Sequence, residues 1–237
     1  MKPRRRIHIS DVVPSEIPLV EHSTLGLGLD IATTEKEKSN PSSLALIEKV
    51  GLDFVERLLL RWKTGDPAVT RAIIQAVLMR IAPRRVRKLC IDATSERFFA
   101  ADLKRDMSAM LPIDLIVSSE NHTYLGETMT FKVYLGNLLV NTMEDGHFAV
   151  ADEVWIKDDF RLVKRDRGTF TAEVDSAGNH ADTFDASKLG LHAIIGPGGP
   201  ASADAAQVGT FGGKSRSAGW KNPFAALHRR SGGKNNA

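Results

Sequence analysis

Three apolar runs joined by turn residues, followed by a regular alternation of helical and strand-like segments, leave this chain few folds to choose from. The first run, 25–32, is interrupted by Gly26 and Gly28, and the second covers 43–50. The polar connection between them contains Asn40-Pro41-Ser42, a hairpin signature. A third strand is expected over 54–62, although its Leu58-Leu59-Leu60 would also suit a helix. Asp66-Pro67 then opens a helix as N-cap and first helical residue, and Val69, Ile73, Val77 and Ile81 recur every four positions as one buried stripe. A short buried strand follows at 88–92, with Thr94 or Ser95 expected to cap the next helix, and another strand at 113–117. The pattern continues with a helix over 128–143, in which Gly136 is a weak point. A β-hairpin over 154–175 should turn at Arg165-Asp166-Arg167-Gly168, and a last helix should begin near His180. Hairpin connections make the first three strands antiparallel, and helical crossovers make the later ones parallel. The expected fold class is therefore α/β, a mixed β-sheet flanked by helices.

Composition limits what such a sheet can belong to. The chain has 237 residues, 42% of them hydrophobic, which is enough for one real core rather than a disordered polymer. We divide it into an N-terminal arm (1–23), a folded domain (24–195) and a flexible basic tail rich in Gly, Ser and Ala (196–237). The tail begins at Gly196-Pro197-Gly198-Gly199-Pro200, and Trp220-Lys221-Asn222-Pro223-Phe224 is its one sticky patch. No apolar stretch approaches a membrane span, and no membrane partner is expected. Cys90 is the only cysteine, so cysteine-rich zinc sites and internal disulfides are excluded. A cytoplasmic setting is expected. The formal net charge of +3 conceals a division, because 1–6 and 205–237 carry ten Lys and Arg and no acid. An acidic body between basic ends suggests a polyanionic partner, or acids gathered around cations, against the plain alternative of solvated tails.

The acids that matter sit where acids are expensive. Asp30 lies within Leu27-Gly28-Leu29-Asp30-Ile31-Ala32, and an ionised aspartate in an apolar strand needs a positive partner or an edge position. Asp92 repeats the arrangement at the end of Leu89-Cys90-Ile91-Asp92, where it would either cap the next helix or line a site beyond the strand ends. In His180-Ala181-Asp182-Thr183-Phe184-Asp185-Ala186 the two acids are three apart, sharing one helical face. They would repel without a cation between them, although a helix start also favours acids. Three or four carboxylates with no cysteine favour a hard cation, Mg²⁺ or Mn²⁺, and a pair of ions about 3.5–4 Å apart suits phosphodiester cleavage.

The segments Gly28-Leu29-Asp30-Ile31-Ala32-Thr33-Thr34, Ile91-Asp92-Ala93-Thr94 and 180–186 resemble, in order, the three nuclease motifs of tailed-phage terminase large subunits. That resemblance spans about 25–193 and implies an RNase H-like fold, with Asp30, Asp92 and Asp182 as catalytic metal ligands and Asp185 as a further ligand. It implies a two-metal endonuclease that cuts double-stranded viral DNA during packaging; since nothing in the sequence resembles a base-reading helix, little sequence preference is expected. A portal or procapsid and a separate packaging ATPase domain are the implied partners. The chain has no G-x-x-x-x-G-K-[ST] loop: Gly213-Lys214-Ser215 has Val208 at the first glycine position. We therefore expect a nuclease domain without its motor, whether a fragment or separately encoded. Lys164, Arg165 and Arg167 at the hairpin tip are the candidate DNA contacts. Arg84, Arg85, Arg87 and Lys88 could grip phosphates or simply favour a helix end, and His180 could orient a ligand. A junction resolvase or transposase of the same fold is the alternative enzyme, and a module that only docks DNA or a capsid is the non-catalytic one.

Overall fold

The computed structural model describes residues 7–33, 40–166, 168–174 and 180–197. Among these, strands β1 (Thr24–Asp30), β2 (Ser42–Val50) and β3 (Asp53–Trp62) form an antiparallel meander. β4 (Val86–Asp92) adds to β1 in parallel, and β5 (Ile113–Ile116) adds to β4. With the two-residue strand β8 (Phe148–Ala149) beside β3, the six-stranded sheet has the order β5-β4-β1-β2-β3-β8. This is the mixed sheet expected from the sequence, antiparallel strands first and parallel strands after them.

One face of the sheet carries α2 (Pro67–Ile81) and α3 (Arg97–Met107). Leu25, Leu27, Leu29, Leu44 and Leu46 from the strands pack there with Ile73, Val77 and Leu103 from the helices. The expected cap of α2 is present: Asp66 accepts from the Ala68 N–H at 2.8 Å, with Pro67 opening the helix. Within the stripe Ile73, Val77 and Ile81 are buried and Val69 is partly so. The stretch expected as an arm also joins this face. It contains the short helix α1 (Ile9–Val12), and Val13 is buried, with Ile7, Ile17 and Leu19 packed against the same cluster. The apolar residues there lack a helical period because they are spent individually as contacts.

The opposite face carries α4 (Phe131–Glu144), α5 (Val154–Arg161) and α6 (Asp182–Ile195). Three local expectations change here. First, 154–175 is not one long hairpin. Val154-Trp155-Ile156 has strand propensity, yet Ile156 and Phe160, four apart, pack inward as a helical face. Only β9 (Val163–Asp166) and β10 (Thr169–Ala172) form the hairpin, with Gly168 at φ +80° in its turn. Second, a hairpin of β6 (Asn121–Tyr124) and β7 (Glu127–Thr130) precedes α4, which starts only after its cap at Thr130. Third, Gly136 is a seat rather than a weak point, since a Cβ there would stand 2.3 Å from the Phe170 ring of β10. Neither Thr94 nor Ser95 caps α3: Glu96 holds that position, and Thr94 Oγ1 instead accepts from the Ser118 N–H at 2.8 Å. Arg167 and residues 198–237, the greater part of the expected tail, lie outside the described residues.

Candidate metal centre

Asp30 and Asp92 occupy equivalent places, the last residues of the neighbouring parallel strands β1 and β4. The pairing Leu29↔Ile91 sets them side by side, and Asp30 also stands opposite Ser43 of β2. Side chains alternate along a strand. Leu29 and Ile91 belong to the α2–α3 face, so Asp30 and Asp92 project towards α6.

What brings α6 to them is a bed of glycine. A Cβ at Gly28 would lie 2.1 Å from the Ala186 carbonyl oxygen and 2.2 Å from the Gly190 nitrogen, and one at Gly26 would meet Gly190 and Ile194. The helix therefore lies on bare β1 backbone and runs antiparallel to it. Since Ala186 sits over Gly28, the first turn of α6 reaches the end of β1 where Asp30 stands. Two residues of strand, about 6.6 Å, are all that separate the glycine seat from that carboxylate.

The electrostatics record the convergence. Burial pushes the Asp30 carboxyl well above its ordinary value, and the charges of Asp185, Asp92 and Asp182 push it further, against the pull of Lys188. Asp182 is 3% exposed, and its Oδ2 is buried without a hydrogen-bond partner among the described residues. Its carboxyl is pushed up to about 7, chiefly by burial and then by Asp159 and Asp185, while Arg61 and a backbone contact with His180 oppose the rise. Asp92 is better supported, accepting from the Thr94 N–H at 2.8 Å through Oδ1 and from the Ser118 hydroxyl at 3.1 Å through Oδ2. Asp185 accepts from Lys188 Nζ at 2.5 Å, and that lysine is itself buried.

Asp30 thus lies within reach of the charges of the other three acids, at the C-terminal ends of β1 and β4. Their donors are oxygens only, which fits a hard divalent cation. The buried, unpartnered Asp182 Oδ2 is the atom such a cation would satisfy. Among the described residues, however, no three His, Cys, Asp or Glu side chains already stand as a finished cage.

Three residues beside the acids escaped the sequence reading. Lys188 carried a visible signal, because it follows Asp185 by three on the same helical face. Asp159 and Arg61 carried none: Asp159 lies in the segment read as strand, and Arg61 is an ordinary charge at the end of β3. Asp159 is buried and accepts from both the N–H and the hydroxyl of Thr183, so it ties α5 to the first turn of α6. His180 reaches the site through its backbone, which hydrogen-bonds the Asp182 carboxylate.

The basic candidates separate. Lys164 and Arg165 are exposed on β9, Lys164 paired with Glu173 and Arg165 over the Phe170 ring at 6.0 Å, while Arg167 lies outside the described residues. The cluster before β4 has mostly internal duties. Arg84 donates to the Val20 and Ser23 carbonyls, Arg87 to the Gly196 carbonyl at 3.0 Å, and buried Lys88 pairs with Asp114 and the Pro197 carbonyl, both at 2.6 Å. Only Arg85 of that group stands exposed.

Comparison with solved structures bears on the fold. The large terminase nuclease from thermophilic phage G20c with bound magnesium superposes with a TM-score of 0.54 and 15% identity, over 74% of this chain and 84% of that one. The fold is that of large-terminase nucleases. The nuclease domain of the large terminase of Thermus phage P74-26 gives a TM-score of 0.51 at 15% identity, covering 75% of this chain and 83% of its own. The large terminase of a further thermophilic bacteriophage gives 0.53 at 12% identity, over 76% of this chain and only 42% of that longer one. The G20c nuclease has also been solved with zinc and with cobalt. No family model matches this sequence, and no curated protein does. With the terminase nucleases, this chain shares the RNase H-like mixed sheet.

Proposed function

We propose that this chain is a metal-dependent endonuclease that cuts duplex DNA with little sequence preference, acting in viral DNA packaging. Asp30, Asp92 and Asp182 hold two Mg²⁺ or Mn²⁺ ions in this reading, with Asp185 as a further ligand. The reading is supported above all by one placement: Asp30 and Asp92 end neighbouring strands beneath the first turn of α6, which carries Asp185 and Asp182, and Asp182 Oδ2 is buried without a partner among the described residues. Bound divalent cations supply acidity to an attacking water and charge stabilisation to a departing 3′ oxygen.

The protein's own residues do the rest. Thr94 and Ser118 fix the Asp92 carboxylate in orientation, as hydrogen bonds to a ligating carboxylate do generally. Lys188 neutralises Asp185 and moderates the repulsion that Asp30 feels before any cation arrives. Asp182, raised to about 7, must give up its proton to serve as a ligand, so cation binding should strengthen as pH rises through that value. Duplex DNA is the proposed substrate. A portal or procapsid and a packaging ATPase domain are the proposed partners, and the host cytoplasm is the proposed setting. The magnesium-bound G20c nuclease lends support through its shared fold, and no helix among the described residues is long and apolar enough to cross a membrane.

Asp30→Asn tests the reading. It should leave the melting temperature without metal unchanged or higher, because a repelled charge is removed. It should abolish plasmid nicking and shrink the rise in melting temperature that Mn²⁺ gives the parent, since a ligand bound only to the folded state stabilises by mass action. A well-folded Asp30→Asn protein that still nicks plasmid in Mn²⁺ would overturn the assignment.

A further inference from the structure

Asp30 is the start of a cross-strand row. Opposite it on β2 stands Ser43, and opposite Ser43 on β3 stands Arg61. Leu60 and Trp62 belong to the α2–α3 face, so Arg61, like Asp30, projects towards α6. Adjacent strands lie about 4.8 Å apart, which places the two backbones roughly 10 Å from each other. The residue between them is a serine, fully buried, with an Oγ that has no partner among the described residues. Over so small a side chain an arginine can reach the carboxylates. Its charge is indeed felt at Asp182.

The guanidinium is held without being used up. It lies over the Trp155 ring of α5, 4.2 Å from the centroid, and among the described residues its nearest ion-pair partner is Asp159, with Oδ1 at 3.8 Å. That separation is too long for a hydrogen bond, whereas an arginine dedicated to a carboxylate closes to about 2.8 Å, often through two bonds. Asp159 meanwhile spends its other oxygen on Thr183. Stacking fixes the plane of the guanidinium, whose N–H edge makes no hydrogen bond among the described residues. The side chain retains 25% exposure beside Asp159 and Asp182, which are almost closed off.

We propose that Arg61 is a phosphate-binding residue of this centre, donating to a non-bridging oxygen of the DNA phosphate held beside Asp30, Asp92 and Asp182. This extends the nuclease reading and depends on it for the reaction, though not for the contact. Arg61 adds fixed positive charge on the β3 side of a centre where acids outnumber the one lysine, Lys188, which is already paired with Asp185. The planar fork suits a tetrahedral phosphate oxygen pair better than a lysine ammonium does.

The test compares the parent with Arg61→Gln and Arg61→Lys, using plasmid nicking in Mn²⁺ and anisotropy of a short fluorescein-labelled duplex in Ca²⁺. Arg61→Gln should nick about 100-fold more slowly or worse, with the Mn²⁺-induced rise in melting temperature retained. Its duplex affinity should fall, and the slope of log affinity against log salt should shrink by about 1. Arg61→Lys keeps a charge beside Asp159, so it should melt like the parent yet remain impaired in nicking. If Arg61→Gln folds poorly, the lysine variant decides the matter. Parental nicking by either variant would overturn the proposal, leaving Arg61 as a mere neutraliser of Asp159. Should the parent itself fail to nick, the nuclease reading falls, and the Ca²⁺ binding curves alone judge the contact: unchanged affinity and salt slope in Arg61→Gln would end it.

Discussion

At the scale of single residues, Glu56 shows how burial writes a pH response into the fold. It stands on β3, 3% exposed, facing Ser187 of α6, and its carboxyl is pushed up to about 7 by burial against hydrogen bonds from Ser187 and the Ala151 N–H. The Ser187 hydroxyl lies 2.8 Å from the Thr183 carbonyl as well as 2.5 Å from Glu56 Oε2. A hydroxyl has one proton to give. If Thr183 takes it, Glu56 must be the donor to Ser187, and therefore protonated. A carboxyl raised from 4.5 to about 7 makes the folded state bind more protons than the unfolded state in that interval. Its contribution is thus complete below about pH 4.5 and lost as pH rises through about 7, on the order of 3 kcal/mol at most. Asp182 adds a change of the same sign. Glu56→Gln keeps a donor at every pH, so its melting temperature should exceed the parent's at pH 8 and fall less between pH 5 and pH 8. Parallel melting curves for the two proteins across that range would exclude a protonated Glu56. None of this was legible in the sequence, where Glu56 is one acid in a strand of mixed polarity. Asp30 and Asp92 were legible because an acid that ends an otherwise apolar run is a conspicuous expense.

At the scale of elements, the centre exists because α6 can lie directly on β1. The sequence displayed Gly26 and Gly28 as interruptions of an apolar run; their use becomes apparent only when Gly190 is found above them. Gly28→Ala would place a Cβ against helix backbone, not against the yielding end of a side chain. Either the helix lifts or the strand distorts, at a cost of about 1–3 kcal/mol or more. The substitution should therefore lower the melting temperature and, in the protein that remains folded, weaken Mn²⁺-dependent stabilisation, because Asp182 and Asp185 ride on the displaced turn. A variant destabilised to a comparable degree on the far face, such as Ile73→Ala, should keep its metal response. Loss of response in both would mean that general loosening, not the glycine seat, governs the site. The strands of the main sheet and α2 were readable because period and capping agreed there. α5 was not, because Val154-Trp155-Ile156 speaks for strand while its tertiary contacts at Ile156 and Phe160 decide for helix.

At the scale of the whole molecule, charge is distributed so that the ends oppose the body. The acids gather in 7–204, whereas 205–237 contains six Lys and Arg and no acid. If the acidic centre takes DNA as proposed, it would gain from basic segments able to hold phosphate elsewhere along the duplex. Where to cut for a test is set by the structure: Gly196 and Pro197 accept from Arg87 and Lys88, so the boundary belongs after Pro197 rather than before Gly196. A chain ending at Pro197 should melt like the full protein, since the Gly, Ala and Ser composition beyond it offers little apolar area to bury. Its duplex affinity should fall, and the dependence of log affinity on log salt should become shallower by up to about 0.9 for each phosphate contact removed. Nicking at saturating DNA should persist, because Asp30, Asp92, Asp182 and Asp185 all remain. The two ends of the experiment separate cleanly. A shallower salt slope with intact nicking makes 198–237 a DNA-holding segment, whereas an unchanged slope removes it from the DNA and leaves a protein partner as the destination of Trp220 and Phe224.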